Sequence, residues 1–241
     1  MTTLLLIRHA QTLWHAENRY AGSSDIGLSP AGVAQAGMLA EHADTIRPGK
    51  LITSDLTRSV RTAAPLAAAL GITAMPDRRL REVDFGEGEG LTRQEMRARF
   101  PAELDGFLAT PASTPLPGGE PGHLAVTRAM AAIEAACAGQ DTVLYVGHAT
   151  LIRLVVCHLL GIDLDRYRSV FPVLGNLHLS TLHRDASGTA LLGFNVGLDT
   201  AAAVDTAGGS APAAAAPSRS AGVPPPGQEH PHRAAGEEGG T

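Results

Sequence analysis

Cysteine is scarce in this 241-residue chain, which has only Cys137 and Cys157. That excludes a disulfide framework and a CxxC metal clamp, and the apolar neighbours of both mark them as core thiols. Long hydrophobic runs are missing too. Stretches such as residues 4–7 and 154–156 fall far short of the ~20 apolar residues a membrane helix needs, so no membrane partner is expected. Arg8 and His9 follow directly on the first apolar run, with no basic start and no small-residue cleavage site. A secretory signal is therefore not expected, and the chain reads as cytoplasmic. Its net charge of −5 argues against general nucleic-acid binding but leaves room for a local basic pocket. There is no GxxxxGK[ST] loop and no GxGxxG after a strand, which removes the usual nucleotide cradles. The histidines also lack metal-ligand spacing: His178 and His183 are five apart on an expected strand, and His230 and His232 lie near the end of the chain. Neither a metal nor a cofactor is expected.

With 44% hydrophobic residues, the chain can bury a core of its own. From residue 201 onward it contains no Leu, Ile, Met, Phe, Tyr or Trp and carries Pro224, Pro225 and Pro226 in a row. This composition predicts one domain over residues 1–199 and a disordered Ala/Pro/Gly-rich tail over 200–241.

Within the domain, residues 3–7, 51–53 and 143–146 are continuous apolar runs, the pattern of strands covered on both faces of a parallel sheet. Helical patterns follow each run. Ser29 and Pro30 read as N-cap and first residue of a helix to about Ala43. Leu56, Val60, Ala63, Ala67 and Leu70 share a face that Gly71 ends. Val126, Met130, Ile133 and Cys137 mark a third helix, and residues 151–160, apolar nearly all round, a fourth. Residues 177–184 and 189–196 flank a turn at 185–188 and read as a hairpin. The fold class expected is α/β: a three-layer α/β/α sandwich with a mostly parallel central sheet. Two short helical patterns at 92–100 and 102–109, followed by Pro117-Gly118-Gly119-Glu120, suggest a small helical cap insertion over about residues 86–122.

Ligands of open α/β sheets bind beyond the carboxyl ends of the strands. Three expected strands end in Arg8-His9-Ala10-Gln11-Thr12, Ser54-Asp55-Leu56-Thr57-Arg58 and Gly147-His148-Ala149-Thr150. Two guanidinium forks suited to phosphoryl oxygens would then meet two imidazoles that can supply a nucleophile and a further donor. This arrangement points to a phosphate site without a metal.

At these residues the chain resembles the histidine phosphatase superfamily, which includes cofactor-dependent phosphoglycerate mutases and many small-molecule phosphatases. The resemblance spans about residues 3–196. Arg8-His9-Ala10 is similar to the family's Arg-His-Gly signature, residues 54–58 with Thr62-Ala63 to its second arginine block, and Gly147-His148-Ala149 to its second histidine block. Residues 80–86 with Glu89-Gly90 resemble the stretch that carries the family's acid. The resemblance implies that His9 attacks phosphorus and is transiently phosphorylated, while Arg8, Arg58 and His148 hold the phosphoryl oxygens. It also implies that Glu82 protonates the leaving oxygen and then activates water, with Asp84 as the competing acid.

Four departures from the family pattern touch the substrate side. Ala10 stands where glycine is usual, His15 where asparagine often binds phosphate, Ala21 where some members have a hydroxyl, and Gly88 where tryptophan is frequent. His15 either donates to phosphate in place of asparagine or has left the site. Gln11, Gly22, Ser23 and Ala149 complete the candidate substrate contacts. A mutase would carry a longer insertion with paired arginines; here Arg93, Arg97 and Arg99 are spaced along one helix like a solvated face. The reading favoured is a phosphatase acting on a small phosphorylated metabolite, with a mutase and a non-catalytic phosphate-binding module as alternatives. Glu120 and Arg128 are expected to pair across a turn, and an edge strand at the hairpin allows either a monomer or a homodimer.

Overall fold

An apolar run without alternation needs cover on both faces, and the first strand, β1 (Thr2–Arg8), obtains it. Leu4 and Leu6 enter one core, and Leu5 and Ile7 enter the other. The computed structural model describes residues 1–198. β2 (Lys50–Thr53), β3 (Ala74–Pro76), β4 (Thr142–Gly147), β5 (Leu179–Asp185) and β6 (Gly188–Val196) complete a sheet of order β3-β2-β4-β1-β5-β6. The strands from β3 through β1 run parallel, and β5 and β6 add an antiparallel edge.

α1 (Pro30–Glu41), α2 (Ala43–Ile46) and α3 (Thr57–Leu70) cover one face. Ser29 caps α1 by accepting from the Gly32 N–H at 3.0 Å, and Pro30 occupies a position where no amide hydrogen is needed. The first helix was expected to run to about Ala43. It instead stops at Glu41 and resumes as α2. α3 ends where expected, with Gly71 at φ 65°, a left-handed position glycine takes without a Cβ clash.

The other face is built from α4 (Arg93–Arg99), α5 (Pro101–Ala109), α6 (Gly122–Cys137), α7 (Ala149–Leu159) and α8 (Tyr167–Val170). Met96 of α4, Leu104 and Phe107 of α5, and Phe100 between the two helices share one core with Ile133 of α6 and Val155 of α7. The segment between Glu82 and α6 thus shares a core with α6 and α7. A complete capping box at Thr92 and Glu95 starts α4.

Two details were not expected from the sequence. β3 is only three residues long and ends in proline, too short for any periodicity to show. β5 begins at Leu179 instead of residue 177 because Leu177 takes φ 56°, from where its N–H donates to the Arg8 carbonyl at 3.0 Å. The expected tail over 200–241 lies outside the described residues. Among those described, no helix is long and apolar enough to cross a membrane.

Candidate active site

Strand register brings the polar residues together. Arg8 pairs with Gly147 across β1 and β4, and Thr53 pairs with Val146 across β2 and β4. His9, the first turn of α3 and the start of α7 therefore leave the sheet at one edge. Gly147 has to lack a side chain, since a Cβ there would lie 1.9 Å from the Tyr145 ring.

His9 is buried, and its Nδ1 lies 2.7 Å from the Ala10 carbonyl. A carbonyl only accepts, so Nδ1 carries the hydrogen and Nε2 keeps its lone pair. Burial first, then Arg58 and Arg8, hold this imidazole well below its usual range, so it is neutral. Ala10, in place of the usual glycine, is not among the residues with positive φ. Its N–H donates to Thr62 Oγ1 at 3.0 Å, and the extra methyl is fully buried without backbone strain.

Arg58 and His148 are fully buried beside it. Arg58 Nη1 donates to the Ser24 carbonyl at 2.7 Å, Nη2 to the Gly22 and Ala21 carbonyls at 2.7 and 3.3 Å, and Nε to His148 Nδ1 at 3.2 Å. That last bond fixes the His148 tautomer with its hydrogen on Nε2. The rings of His148 and His9 are 5.3 Å apart. Burial and the charge of Arg58 push His148 well below the usual imidazole range, so its ring is neutral, with Nε2 3.4 Å from Ser59 Oγ.

Arg8 donates from Nη1 to the Leu174 carbonyl at 2.6 Å and from Nη2 to His15 Nε2 at 2.7 Å. Its buried Nε has no partner among the described residues. Burial brings its pKa down to about 10, still above neutrality. His15 faces the site. Because Arg8 can only donate, His15 Nε2 accepts from it, and Nδ1 lies 3.0 Å from the Thr12 N–H and 2.7 Å from the Thr12 hydroxyl. Burial, Arg8 and Arg58 bring its pKa down to about 4, so it orients Arg8 as a neutral ring.

Glu82 is buried at the N-terminus of α7. Its Oε1 accepts from the Leu151 and Val83 N–H groups at 2.8 and 3.0 Å, and its Oε2 accepts from Thr150 N–H at 2.8 Å. Oε2 thus keeps a lone pair for a proton. The backbone behind it is pinned twice. Tyr145 donates to the Leu80 carbonyl at 2.9 Å, and Arg128 donates to the carbonyls of Arg79, Arg81 and Glu82 at 2.7, 2.7 and 3.0 Å. Arg128 is in turn gripped by both oxygens of Glu120 at 2.7 Å. Asp84 caps the Gly86 N–H at 2.8 Å instead and does not line the cavity of His9.

That cavity has a volume of about 510 Å³, and Arg8, His9, His15, Glu82 and Ala149 line it. Five candidate contacts do not: Arg58 and His148, which are fully buried, and Gln11, Gly22 and Ser23. Gln11 accepts from Ser29 Oγ at 2.7 Å and supports the start of α1. Gly22 and Ser23 give their N–H groups to Glu89, which organises the 22–24 loop, and Ser23 faces a second cavity. Arg93, expected on a solvated face, is exposed but also lines the main cavity, whereas Arg97 pairs with Asp105 at 2.6 Å. Sequence reasoning missed Arg153 and Arg168, both of which line the same cavity. A visible signal for Arg153 was a lone cation in an otherwise apolar helix. Among the described residues no group of three or more His, Cys, Asp or Glu side chains is placed to hold a metal ion.

Residues 4–197 match the family described as the histidine phosphatase superfamily, branch 1. Phosphoserine phosphatase 1 of Hydrogenobacter thermophilus is 28% identical over 198 residues, covering 81% of this chain and 93% of that protein. A probable phosphoglycerate mutase of Klebsiella pneumoniae is 44% identical over 86 residues, but these are 36% of this chain and 40% of the mutase. Among solved structures, a mycobacterial glucosyl-3-phosphoglycerate phosphatase in complex with VO3 superimposes with a TM-score of 0.74 at 27% identity, covering 81% of this chain and all of that one.

Proposed function

The chain belongs to the histidine phosphatase superfamily and is a phosphoric monoester hydrolase, and from that premise we propose that it hydrolyses a small phosphorylated metabolite through a phosphohistidine on His9, without a metal ion. The observation that carries this reading is the one cavity lined together by a neutral His9 whose Nε2 keeps its lone pair, by Arg8 and by Glu82.

The His9 Nε2 lone pair attacks phosphorus while the P–O bond to the leaving group breaks, and the leaving oxygen takes a proton from Glu82. Water then attacks the phosphorus of phosphohistidine and gives its proton to Glu82. The P–N bond breaks, which frees inorganic phosphate and restores neutral His9. Phosphoryl transfer depends mainly on positioning and charge, and Arg8, Arg58, the His148 Nε2–H and the N-terminus of α7 supply both. The 86–122 segment serves as a cap that contributes cavity wall, including Arg93.

The test is phosphate release from an aryl phosphate and a phosphomonoester panel in the presence of a chelator. Turnover is expected to survive chelation, to fall by ~10⁴ or more in His9→Ala, and to fall by ~10²–10³ in Glu82→Gln with poor leaving groups. An inert wild type whose His9 is labelled only by a bisphosphorylated donor would replace this reading with a mutase. The short match to a phosphoglycerate mutase is what keeps that alternative in view.

A further inference from the structure

The cavity of His9 holds more positive charge than one phosphoryl group uses. Arg153 and Arg168 line it beside Arg8 and Glu82. Neither takes part in any ion pair among the described residues. Half-buried cations without a carboxylate partner are costly unless something else neutralises them.

Their protein contacts orient them without quenching their charge. Arg153 projects from α7, where its Nε donates to the Ala149 carbonyl at 3.0 Å and its Nη1 to the Phe171 carbonyl at 3.3 Å. Its guanidinium lies 4.8 Å from the centre of the Tyr167 ring. Arg168 projects from α8, stacks at 4.5 Å over Phe107 of α5 and donates from Nε to the Tyr167 hydroxyl at 2.9 Å. The Nη2 of Arg153 and both terminal nitrogens of Arg168 have no hydrogen-bond partner among the described residues. Stacking on aromatic faces holds the forks in place, ready for a planar or tetrahedral anion. The charge of Arg153 acts on Arg8, and that of Arg168 acts on Arg153, so the three cations form a connected series in one cavity.

Building on the phosphatase reading, we propose that Arg153 and Arg168 form a second anion subsite, which selects phosphomonoesters carrying another negative group, a carboxylate or a second phosphate, on the alcohol that leaves. Phe107 brings the cap into this choice, because it sets the plane of Arg168. An alcohol with no charge would leave both forks unmatched.

The test uses three substrates with one carbon skeleton: glycerol 1-phosphate, 3-phosphoglycerate and glycerol 1,3-bisphosphate. We expect the wild type to prefer at least one of the two charged members over glycerol 1-phosphate by about tenfold or more in kcat/KM, as a charge-assisted fork contributes. Which member leads separates a carboxylate from a phosphate. In Arg168→Gln and Arg153→Gln the ratio is expected to fall toward one. Circular dichroism checks that each variant folds; the half-exposed Arg168 decides the matter if Arg153→Gln does not. A wild-type ratio near one, or a ratio unchanged in Arg168→Gln, overturns the subsite. Dissociation constants of the same three ligands for His9→Ala, read by calorimetry, keep the two proposals apart. No turnover with a tenfold binding preference removes the phosphatase reading and supports the subsite, whereas turnover with equal constants does the reverse.

Discussion

The two parts of the cavity wall are built on opposite plans. Around His9, backbone groups fix Arg58 through the carbonyls of the 21–24 loop, Glu82 through the N–H groups of α7 and His9 through the Ala10 carbonyl, while Arg8 and His15 brace each other. Around Arg168, the fixing groups are aromatic rings, and the terminal nitrogens stay open. On the proposed mechanism, the first plan preorganises donors for a charge that develops always at the same atom. The second leaves cations available to whatever a substrate brings, and it is the part of the wall that can change without disturbing the chemistry.

The contrast can be broken at its strongest point by Arg58→Ala. This variant leaves carbonyls of a buried loop without donors and, on the proposed mechanism, removes a phosphoryl contact, so activity is expected to fall by ~10²–10³ and stability by ~2–4 kcal/mol. Urea unfolding alongside kinetics would register both losses together, while Arg168→Gln is expected to alter selectivity with a much smaller change in unfolding midpoint. A catalytic loss in Arg58→Ala with full stability would undo the claim that the loop is held by this guanidinium.

Arg128→Met sharpens the contrast at one remove. Arg128 touches no substrate; it positions Glu82 by holding three carbonyls of the chain that carries it. We expect kcat to fall by ~10-fold with KM nearly unchanged, most strongly for substrates with poor leaving groups that depend on the acid. Equal losses for good and poor leaving groups would mean that Arg128 serves only the fold.

The smallest effect expected is on the pH dependence of stability. Burial and the nearby arginines hold His9, His148 and His15 below the ordinary imidazole range, the last at about 4. In the unfolded chain these rings titrate near ~6.5. Below that pH the unfolded state binds more protons than the folded one, so this contribution is complete above pH ~6.5 and is lost as pH falls toward 4. Thermal melts should shift down through this window, and His15→Asn, which removes one of the three rings, should flatten the slope. A melting temperature constant from pH 7 to pH 5 would contradict the neutral, buried histidines.

The same division explains what could be read from the sequence. Runs such as residues 4–7 carry their own evidence of two-sided burial, and the polar residues directly after them follow into the site, so Arg8, His9, Arg58 and His148 were legible from local pattern. Glu82 needed the family resemblance, because nothing local distinguishes it from Asp84; only the N–H groups of Thr150 and Leu151, 68 and 69 positions away, do so. Arg168 sits in a stretch with no periodic pattern, and it reaches the cavity through contacts with Phe107 that local spacing does not encode. For His15 the sequence leaves open whether it donates to phosphate or has left the site; it lines the cavity, and its role as an acceptor follows only from the 2.7 Å approach of a guanidinium. Gln11 was read as a rim residue and supports α1, since its carbonyl oxygen meets Ser29.

The central claim is that His9 carries the phosphoryl group between the two half-reactions. Rapid quenching during turnover of a ³²P-labelled phosphomonoester, with chelator present, tests it directly. The expected product is a protein-bound label that is stable to alkali, labile to acid, mapped by mass spectrometry to His9, and accumulated further in Glu82→Gln. Full turnover with no label at any quench time, or a label on another side chain, would contradict it.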